Sequence, residues 1–181
     1  MRAMENASIQ IRINGKYGKH ICSLNRRVDK EYDIGYAHIT LVDYKLRRIS
    51  RLIPKLEMMN GLKPFDVSVS GVGTWDNRWI YLRVKKNGGV KRLNELLYKE
   101  VRDGVSRDFR PNLWVPHITV SHSKVRFKKN LGEVKKAAIA FRVRVNTVYL
   151  VGKYRHGNYR ILRRYKLGSK AVRKPNKRIR S

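Results

Sequence analysis

Ala37-His38-Ile39-Thr40-Leu41 and Pro116-His117-Ile118-Thr119-Val120 are the two stretches that decide the fold. In each, a histidine, an isoleucine and a threonine lie within an apolar run rich in strand-forming residues, which predicts a buried β-strand. Side chains alternate between the two faces of a strand, so each histidine shares a face with its threonine. Each predicted strand therefore presents an imidazole and a hydroxyl on one face and anchors itself through the other.

Two such strands, side by side or across a cleft, would bring two imidazoles and two hydroxyls together. This set suits in-line displacement at phosphorus, in which one neutral histidine takes a proton and one protonated histidine gives a proton. The hydroxyls of Thr40 and Thr119 would donate to phosphate oxygens, where negative charge accumulates. We expect no metal and no other cofactor, because the two imidazoles come without a carboxylate cluster and catalytic zinc usually has three protein ligands.

The chain has 181 residues, with 43 lysines and arginines against 13 acidic residues and a formal net charge of +30. This length is enough for a sizeable core and fits one domain or two small fused lobes. So strong a positive charge favours nucleic acid as the partner, through neutralisation of phosphates. An anionic membrane surface is the second choice of partner.

Cys22 is the only cysteine, so an internal disulfide and a cysteine-based zinc cage are excluded. No signal-peptide core lies near the start of the sequence, and no apolar run approaches the length of a membrane span. The single cysteine suits a reducing compartment. We expect a cytoplasmic protein with no membrane partner, and we expect it to be a monomer.

Alternating apolar residues and turn signals predict strands over 9–13, 36–44, 65–72, 79–85, 113–121, 141–151 and 159–167. Helical spacing predicts helices over 45–59, 90–102 and 131–140, the first of them kinked or restarted at Pro54. Residues 20–24 are ambiguous between strand and loop, and the polar segment 25–35 is predicted as a loop. After each motif histidine the predicted order is helix, strand, strand, which indicates two related lobes.

The C-terminal segment differs in composition from the rest of the chain. From residue 168 onward small, polar and basic residues dominate, and no acidic residue follows Glu133. We therefore predict a single bilobal domain over residues 1–167 and a basic, disordered tail over residues 168–181.

The paired motifs resemble those of the 2H phosphoesterases, a superfamily defined by two His-x-Thr/Ser motifs. The proline before His117, the strand over 65–73 and the closing pattern over 148–162 are also similar to the family, and the resemblance covers about residues 8–167. It implies an α+β fold of two antiparallel-sheet lobes with flanking helices and pseudo-twofold symmetry around a central cleft.

The resemblance also implies roles for the motif residues. His38 and His117 would be the catalytic pair, and Thr40 and Thr119 would bind the substrate phosphate without a metal. The chain departs from the family pattern after both motifs. Asp43 stands where an apolar or aromatic residue is common, and His122 stands where many relatives have arginine. Strand alternation would place His122 on the face opposite His117, which favours a structural or rim role.

Other side chains are candidates for contacts with the rest of the substrate. The candidates for stacking on a base are Tyr44, Trp75, Trp114 and Phe127, although an aromatic residue is more often part of a core. The candidates for further phosphate contacts are Arg126, Lys128, Lys129 and Arg155, although a charged run is more often a solvated face.

The expected function is that of a metal-independent phosphodiesterase. It would hydrolyse 2′,3′-cyclic phosphate or 2′-5′ phosphodiester bonds in RNA or oligonucleotides, since a small cyclic metabolite gains little from so strong a positive field. Two alternatives stay open: degradation of cyclic or 2′-5′-linked signalling nucleotides, and a non-catalytic RNA-binding protein on the same scaffold. RNA end-joining is a less favoured reaction of the same site. Paired imidazoles favour an enzyme, because binding alone does not require them.

Overall fold

The computed structural model describes residues 4–45, 49–102, 104–154 and 159–169. The strands in these ranges are β1 (Met4–Arg12), β2 (His38–Lys45), β3 (Phe65–Trp75), β4 (Trp79–Val84), β5 (His117–His122), β6 (Ala140–Val145), β7 (Thr147–Tyr154) and β8 (Tyr159–Lys166). The α-helices are α1 (Gly15–Val28), α2 (Ile49–Leu56), α3 (Gly88–Val101) and α4 (Phe127–Lys136). Two short 3-10 helices span Glu57–Gly61 and Arg107–Phe109.

The strands form two antiparallel sheets of four. The first sheet has the order β2-β1-β7-β8 and the second has the order β5-β4-β3-β6. The two motif strands, β2 and β5, are edge strands of different sheets, and they contact each other. The predicted α+β class, with two antiparallel-sheet lobes that each contribute one motif strand, is confirmed.

The internal repeat differs from the predicted one. A helix and two strands do follow each motif, but β3 and β4 share one sheet whereas β6 and β7 belong to different sheets. The repeated unit is instead a strand, a helix and then the motif strand. It is β1-α1-β2 in the first lobe and β4-α3-β5 in the second. The helices of these units pack across the molecule, α1 against β5 and α3 against β2. This exchange holds the two lobes together.

Helix α1 replaces the predicted strand-or-loop and the start of the predicted loop over 25–35. Its buried positions include Ile21, Leu24, Asn25 and Val28, which lie on one face at helical spacing. Charged residues on the other face obscured this spacing in the sequence. The prediction for this segment was wrong because a buried asparagine occupies one of the core-facing positions.

Several predicted boundaries also shift. The first motif strand extends to Lys45, and residues 46–48, predicted as the start of a helix, lie outside the described residues. Helix α4 begins at Phe127 rather than near residue 131, and the strand predicted over 141–151 is two strands that meet at Asn146. The strand predicted from residue 113 begins only at His117. The preceding segment is irregular and carries a 3-10 helix.

The C-terminal end of the described chain is fixed to the domain. The backbone N–H of Gly168 donates to the carbonyl of Leu62, at 2.7 Å. Residues 170–181, most of the predicted tail, lie outside the described residues. The division at residue 167 therefore stays a prediction. No helix in the described part of the chain is long and apolar enough to cross a bilayer.

Candidate active site

Burial along β2 and β5 follows the predicted alternation. Ile39 and Ile118 have no exposed surface, whereas each motif histidine and threonine is partly exposed. The imidazole and hydroxyl of each motif therefore share the face that does not enter the core. Because β2 and β5 contact each other, the two motifs meet where the two sheets adjoin.

A β-bulge interrupts both motif strands at the third residue after the histidine. In β2, Thr40 pairs with Gln10 and Val42 pairs with Ile9, so Leu41 is the extra residue. In β5, the corresponding extra residue is Val120. A bulge shifts the alternation by one residue, so every later side chain of the strand lies on the opposite face from the one that simple alternation gives.

The bulge at Val120 overturns the predicted orientation of His122. Trp79 pairs with His122 and Tyr81 pairs with Thr119, so the shifted alternation places His122 on the same face as the motif. The imidazole of His122 stacks on the Trp79 indole, with ring centroids 3.7 Å apart, and its backbone N–H donates to Asp29 at 2.7 Å. These contacts agree with the predicted structural role, but the predicted face was wrong.

Two buried asparagines tie the bulges to the opposite lobes. The side-chain amide of Asn25, on α1, donates to the carbonyl of Val120 at 2.8 Å. The amide of Asn94, on α3, donates to the carbonyl of Leu41 at 2.9 Å. Both asparagines are fully buried. The bulge disrupts the strand ladder at these carbonyls, and each amide supplies a partner from the other half of the molecule.

The two motif histidines are oriented in the same way. Nδ1 of His38 lies 3.0 Å from the carbonyl oxygen of Tyr36, and Nδ1 of His117 lies 2.9 Å from that of Val115. A carbonyl oxygen only accepts hydrogen bonds, so Nδ1 carries the proton in each ring. The lone pair of each neutral imidazole is therefore at Nε2.

Burial lowers the pKa of both motif histidines below the ordinary histidine value of 6.5. For His38, the positive charges of protonated His117 and of Arg12 lower the pKa further, while the bond to Tyr36 opposes the shift. The charge of one imidazole therefore acts on the other. Both rings favour the neutral state at neutral pH unless an anion binds beside them.

Beside His38 lie side chains that the sequence analysis did not select. Arg12 pairs with His38 across the β1–β2 ladder, and its guanidinium carbon lies 3.6 Å from the ring centroid of Tyr36. Nε of Arg12 is buried without a hydrogen-bond partner. The Tyr36 hydroxyl donates to Gln10 at 2.8 Å, which fixes the ring. In the sequence, the alternation of β1 places Arg12 on the face opposite to Ile11 and Ile13. This alternation was the signal that could have identified Arg12.

Beside His117 lies an aromatic pair. Trp75 and Tyr81 stack with centroids 4.0 Å apart, and the Trp75 ring meets the His117 ring at 4.6 Å and a right angle. The absence of a side chain at Gly73 makes room for the Tyr81 ring, since a Cβ there would collide with it. Trp75, one of the predicted stacking candidates, is thus next to a motif histidine. Tyr81 was missed because its position in an apolar strand is typical of a core residue.

The other three candidates for stacking on a base make contacts within the fold. Tyr44 follows the β2 bulge on the side of Val42, and it packs against the core. Trp114 is 2 % exposed and its Nε1–H donates to the carbonyl of Thr40, so its main contacts are structural. Phe127 packs against the core from α4.

Three of the four predicted basic contacts lie on the segment that follows β5. Arg126 is exposed and lies beyond the end of β5 opposite to His117, and Lys128 and Lys129 are exposed on the following helix, α4. Arg155 lies outside the described residues, so the prediction for it is untested. Within the described ranges, no group of three or more His, Cys, Asp or Glu side chains is placed to hold a metal ion.

Two antiparallel sheets whose His-x-Thr edge strands contact each other are the arrangement expected of the two-histidine phosphoesterase class of fold. Residues 18–157 match the family described as the 2′-5′ RNA ligase superfamily, and the chain belongs to this superfamily. One relative is a protein of Geobacillus sp. (strain WCH70) that is provisionally named as a phosphoesterase. It is 23 % identical to this chain over 156 residues, which cover 82 % of this chain and 88 % of the relative.

Solved structures show the same fold. TT0787 of Thermus thermophilus superposes with a TM-score of 0.67 at 17 % identity, over 91 % of this chain and 99 % of that one. LigT of E. coli, complexed with 3′-AMP, superposes with a TM-score of 0.64 at 15 % identity, over 91 % and 99 % of the two chains. The predicted family and its bilobal fold are confirmed.

Proposed function

We propose that the chain is a metal-independent phosphodiesterase that hydrolyses 2′,3′-cyclic phosphate or 2′-5′ phosphodiester bonds in RNA or oligonucleotides. The observation that carries the proposal is the matched orientation of the two imidazoles. Both Nδ1 atoms are occupied by backbone carbonyls, both Nε2 atoms are left for substrate, and the charge of one ring acts on the other. The LigT structure with 3′-AMP supports a nucleotide as the substrate class.

In the proposed reaction, the neutral imidazole takes a proton from water at Nε2 while the water oxygen forms a bond to phosphorus. The protonated imidazole gives its Nε2 proton to the departing ribose oxygen as the phosphorus–oxygen bond breaks. The two rings then return to their starting states by proton exchange with solvent. Thr40 and Thr119 donate to the non-bridging oxygens, and the Arg12 guanidinium supplies positive charge beside His38.

The bound substrate favours the protonated imidazole that the reaction needs, although burial lowers the pKa of both histidines. A bound phosphate is an anion between the two rings, and an opposite charge favours the protonated form of histidine. One ring is then charged in the complex while the other stays neutral, because two like charges side by side disfavour each other. Which ring is acid and which is base is left open.

The test is hydrolysis of an oligonucleotide that ends in a 2′,3′-cyclic phosphate, in the presence of EDTA. The wild type should open the cyclic phosphate, and His38→Ala and His117→Ala should each lower kcat by about 10²–10⁴-fold. His20→Ala is the matched control, because His20 is an exposed histidine on α1, outside the motifs.

Two results contradict the proposal. If the wild type leaves both the cyclic-phosphate oligonucleotide and 2′-5′ linked dinucleotides unchanged, the alternative of a non-catalytic RNA-binding protein is favoured, for which the net charge of +30 is the supporting observation. Hydrolysis that persists in both histidine variants would place the reaction elsewhere. A parallel panel of 2′-5′ and 3′-5′ linked dinucleotides would identify the preferred bond.

A further inference from the structure

A cavity of about 700 Å³ adjoins His117. It lies between the end of β3 and the irregular segment before β5, and its walls include Trp75, Asp76, Arg107, Asp108, Trp114 and His117. Its volume falls in the range of pockets that bind small organic ligands. A group bound there would be a direct neighbour of the imidazole at the proposed reaction centre.

The irregular wall of this cavity is held in place by hydrogen bonds. Nζ of Lys86 donates to the carbonyl of Pro111 at 2.6 Å and to that of Trp114 at 2.8 Å. The indole N–H of Trp114 donates to the carbonyl of Thr40 at 3.1 Å, which joins the wall to the other motif strand. The pocket is thus formed before a ligand binds.

One side of the cavity is aromatic. Tyr81 stacks on Trp75, and the Trp75 indole also lines the cavity. A planar base that enters the cavity could extend this stack, and stacking of a base on an aromatic side chain contributes about 1–3 kcal/mol of binding. The aromatic side favours a nucleobase of any kind.

The charged groups of the cavity restrict which part of a nucleotide can bind there. Asp76, Arg107 and Asp108 are exposed on its rim, and among the described residues neither carboxylate has a hydrogen bond or an ion pair. Two carboxylates repel a phosphate, so the phosphate belongs at the histidine pair and the base belongs in this cavity. The chain has only 13 acidic residues, and two of them line this cavity.

Carboxylates accept hydrogen bonds and guanidinium groups donate them. Guanine has adjacent donors, N1–H and N2–H, on one edge, and adjacent acceptors, O6 and N7, on the other. Arginine bound to O6 and N7 is the commonest specific contact with guanine. Adenine and cytosine place an acceptor beside the amine that a carboxylate would bind, and uracil places its N–H between two acceptors.

We propose that the cavity beside His117 binds the base of the substrate nucleoside and selects guanine, with Asp76 or Asp108 on the Watson–Crick edge and Arg107 on the Hoogsteen edge. This inference rests on the proposed function for the position of the phosphate. It adds a base preference and the side chains that set it.

The first test compares kcat/KM for the 2′,3′-cyclic phosphates of guanosine, adenosine, cytidine and uridine. The wild type should favour the guanosine substrate by about tenfold or more. The double variant Asp76→Asn, Asp108→Asn and the variant Arg107→Gln should each lose most of this preference while still turning over the adenosine substrate. Glu95→Gln, an exposed charge change on α3, should keep the preference.

Similar rates for all four substrates would overturn the inference and leave the proposed function standing. A guanosine preference that survives in the double variant would also overturn the assignment of the carboxylates. The second test is calorimetric binding of 3′-GMP and 3′-AMP to the wild type, which needs no turnover. If neither a cyclic nucleotide nor a 2′-5′ linked dinucleotide is hydrolysed, the proposed function fails. Tighter binding of 3′-GMP would then still support the pocket, whereas equal binding would reject it.

Discussion

The orientation of single side chains determines what the two motifs can do. A strand places an imidazole on one face, but the bond from Nδ1 to the carbonyl two residues earlier selects which nitrogen meets the substrate. Both histidines make this bond, so in each ring Nε2 is the nitrogen left for a substrate. The threonine hydroxyls and the two pKa values can be tested separately.

The proposed role of the threonines predicts that the hydroxyl, not the shape, is required. Thr40→Val and Thr119→Val keep the volume of the side chain and should each lower kcat by about 10²-fold, the order found when one donor to a developing oxyanion is removed. Thr40→Ser and Thr119→Ser keep a donor and should retain most of the activity. Equal activity of the valine and serine variants would show that the hydroxyls do not bind the phosphate.

The lowered histidine pKa values predict an acidic optimum for kcat/KM. This constant depends on the free enzyme, with one imidazole neutral and one protonated, and their joint population is largest midway between the two pKa values. Both pKa values lie below 6.5, so the maximum should lie below pH 6.5. A pH–rate profile for a cyclic nucleotide measures it, and a maximum above pH 7 would contradict the assignment.

At the scale of elements, the crossed packing of α1 and α3 ties each motif strand to the other lobe. The bulges at Leu41 and Val120 would otherwise leave two carbonyls without a ladder partner. Asn25 and Asn94 satisfy them. Each amide also donates to a carbonyl in the segment after its own helix, Asn25 to that of Tyr32 and Asn94 to that of Phe109. One side chain thus fixes both the bulge and the loop after its own helix.

These hydrogen bonds predict that replacing either asparagine lowers the stability of the fold strongly. Asn25→Ala or Asn94→Ala leaves a buried carbonyl unpaired, which should lower the free energy of unfolding by about 1–3 kcal/mol. Asn146→Ala, at an exposed position between β6 and β7, should change it by less than about 0.5 kcal/mol. Urea denaturation measures both. Equal stabilities of the core variants and the control would rule out this role of the amides.

At the scale of the whole molecule, the net charge of +30 predicts strong salt dependence of RNA binding. Lysines and arginines that neutralise phosphates release counterions, so log K should fall linearly with log salt, with a slope of about −0.7 per phosphate contacted on a single strand. Fluorescence anisotropy of the His38→Ala, His117→Ala double variant with a labelled oligonucleotide would measure this slope without turnover. A slope near zero would show that the charge does not serve RNA binding.

The comparison of sequence and structure shows where pattern reasoning holds. The alternation in the motif strands was correct up to the bulges and failed after them, as His122 shows, because one extra residue reverses the face of every later side chain. Helix α1 was missed because Asn25 lies at a core-facing position, where its partner is 95 residues away in the chain. Local periodicity carries no information about such a partner.

The sequence alone was enough to predict the class of the fold and to select the four motif side chains as candidates, because strand periodicity and a repeated triplet are local properties of the chain. Only the tertiary structure decided the contact of β2 with β5, the bulges, the exchange of helices and the neighbours Arg12, Tyr36 and Tyr81. These depend on contacts between residues far apart in the chain, and the free energy of burying them together is a property of the folded molecule.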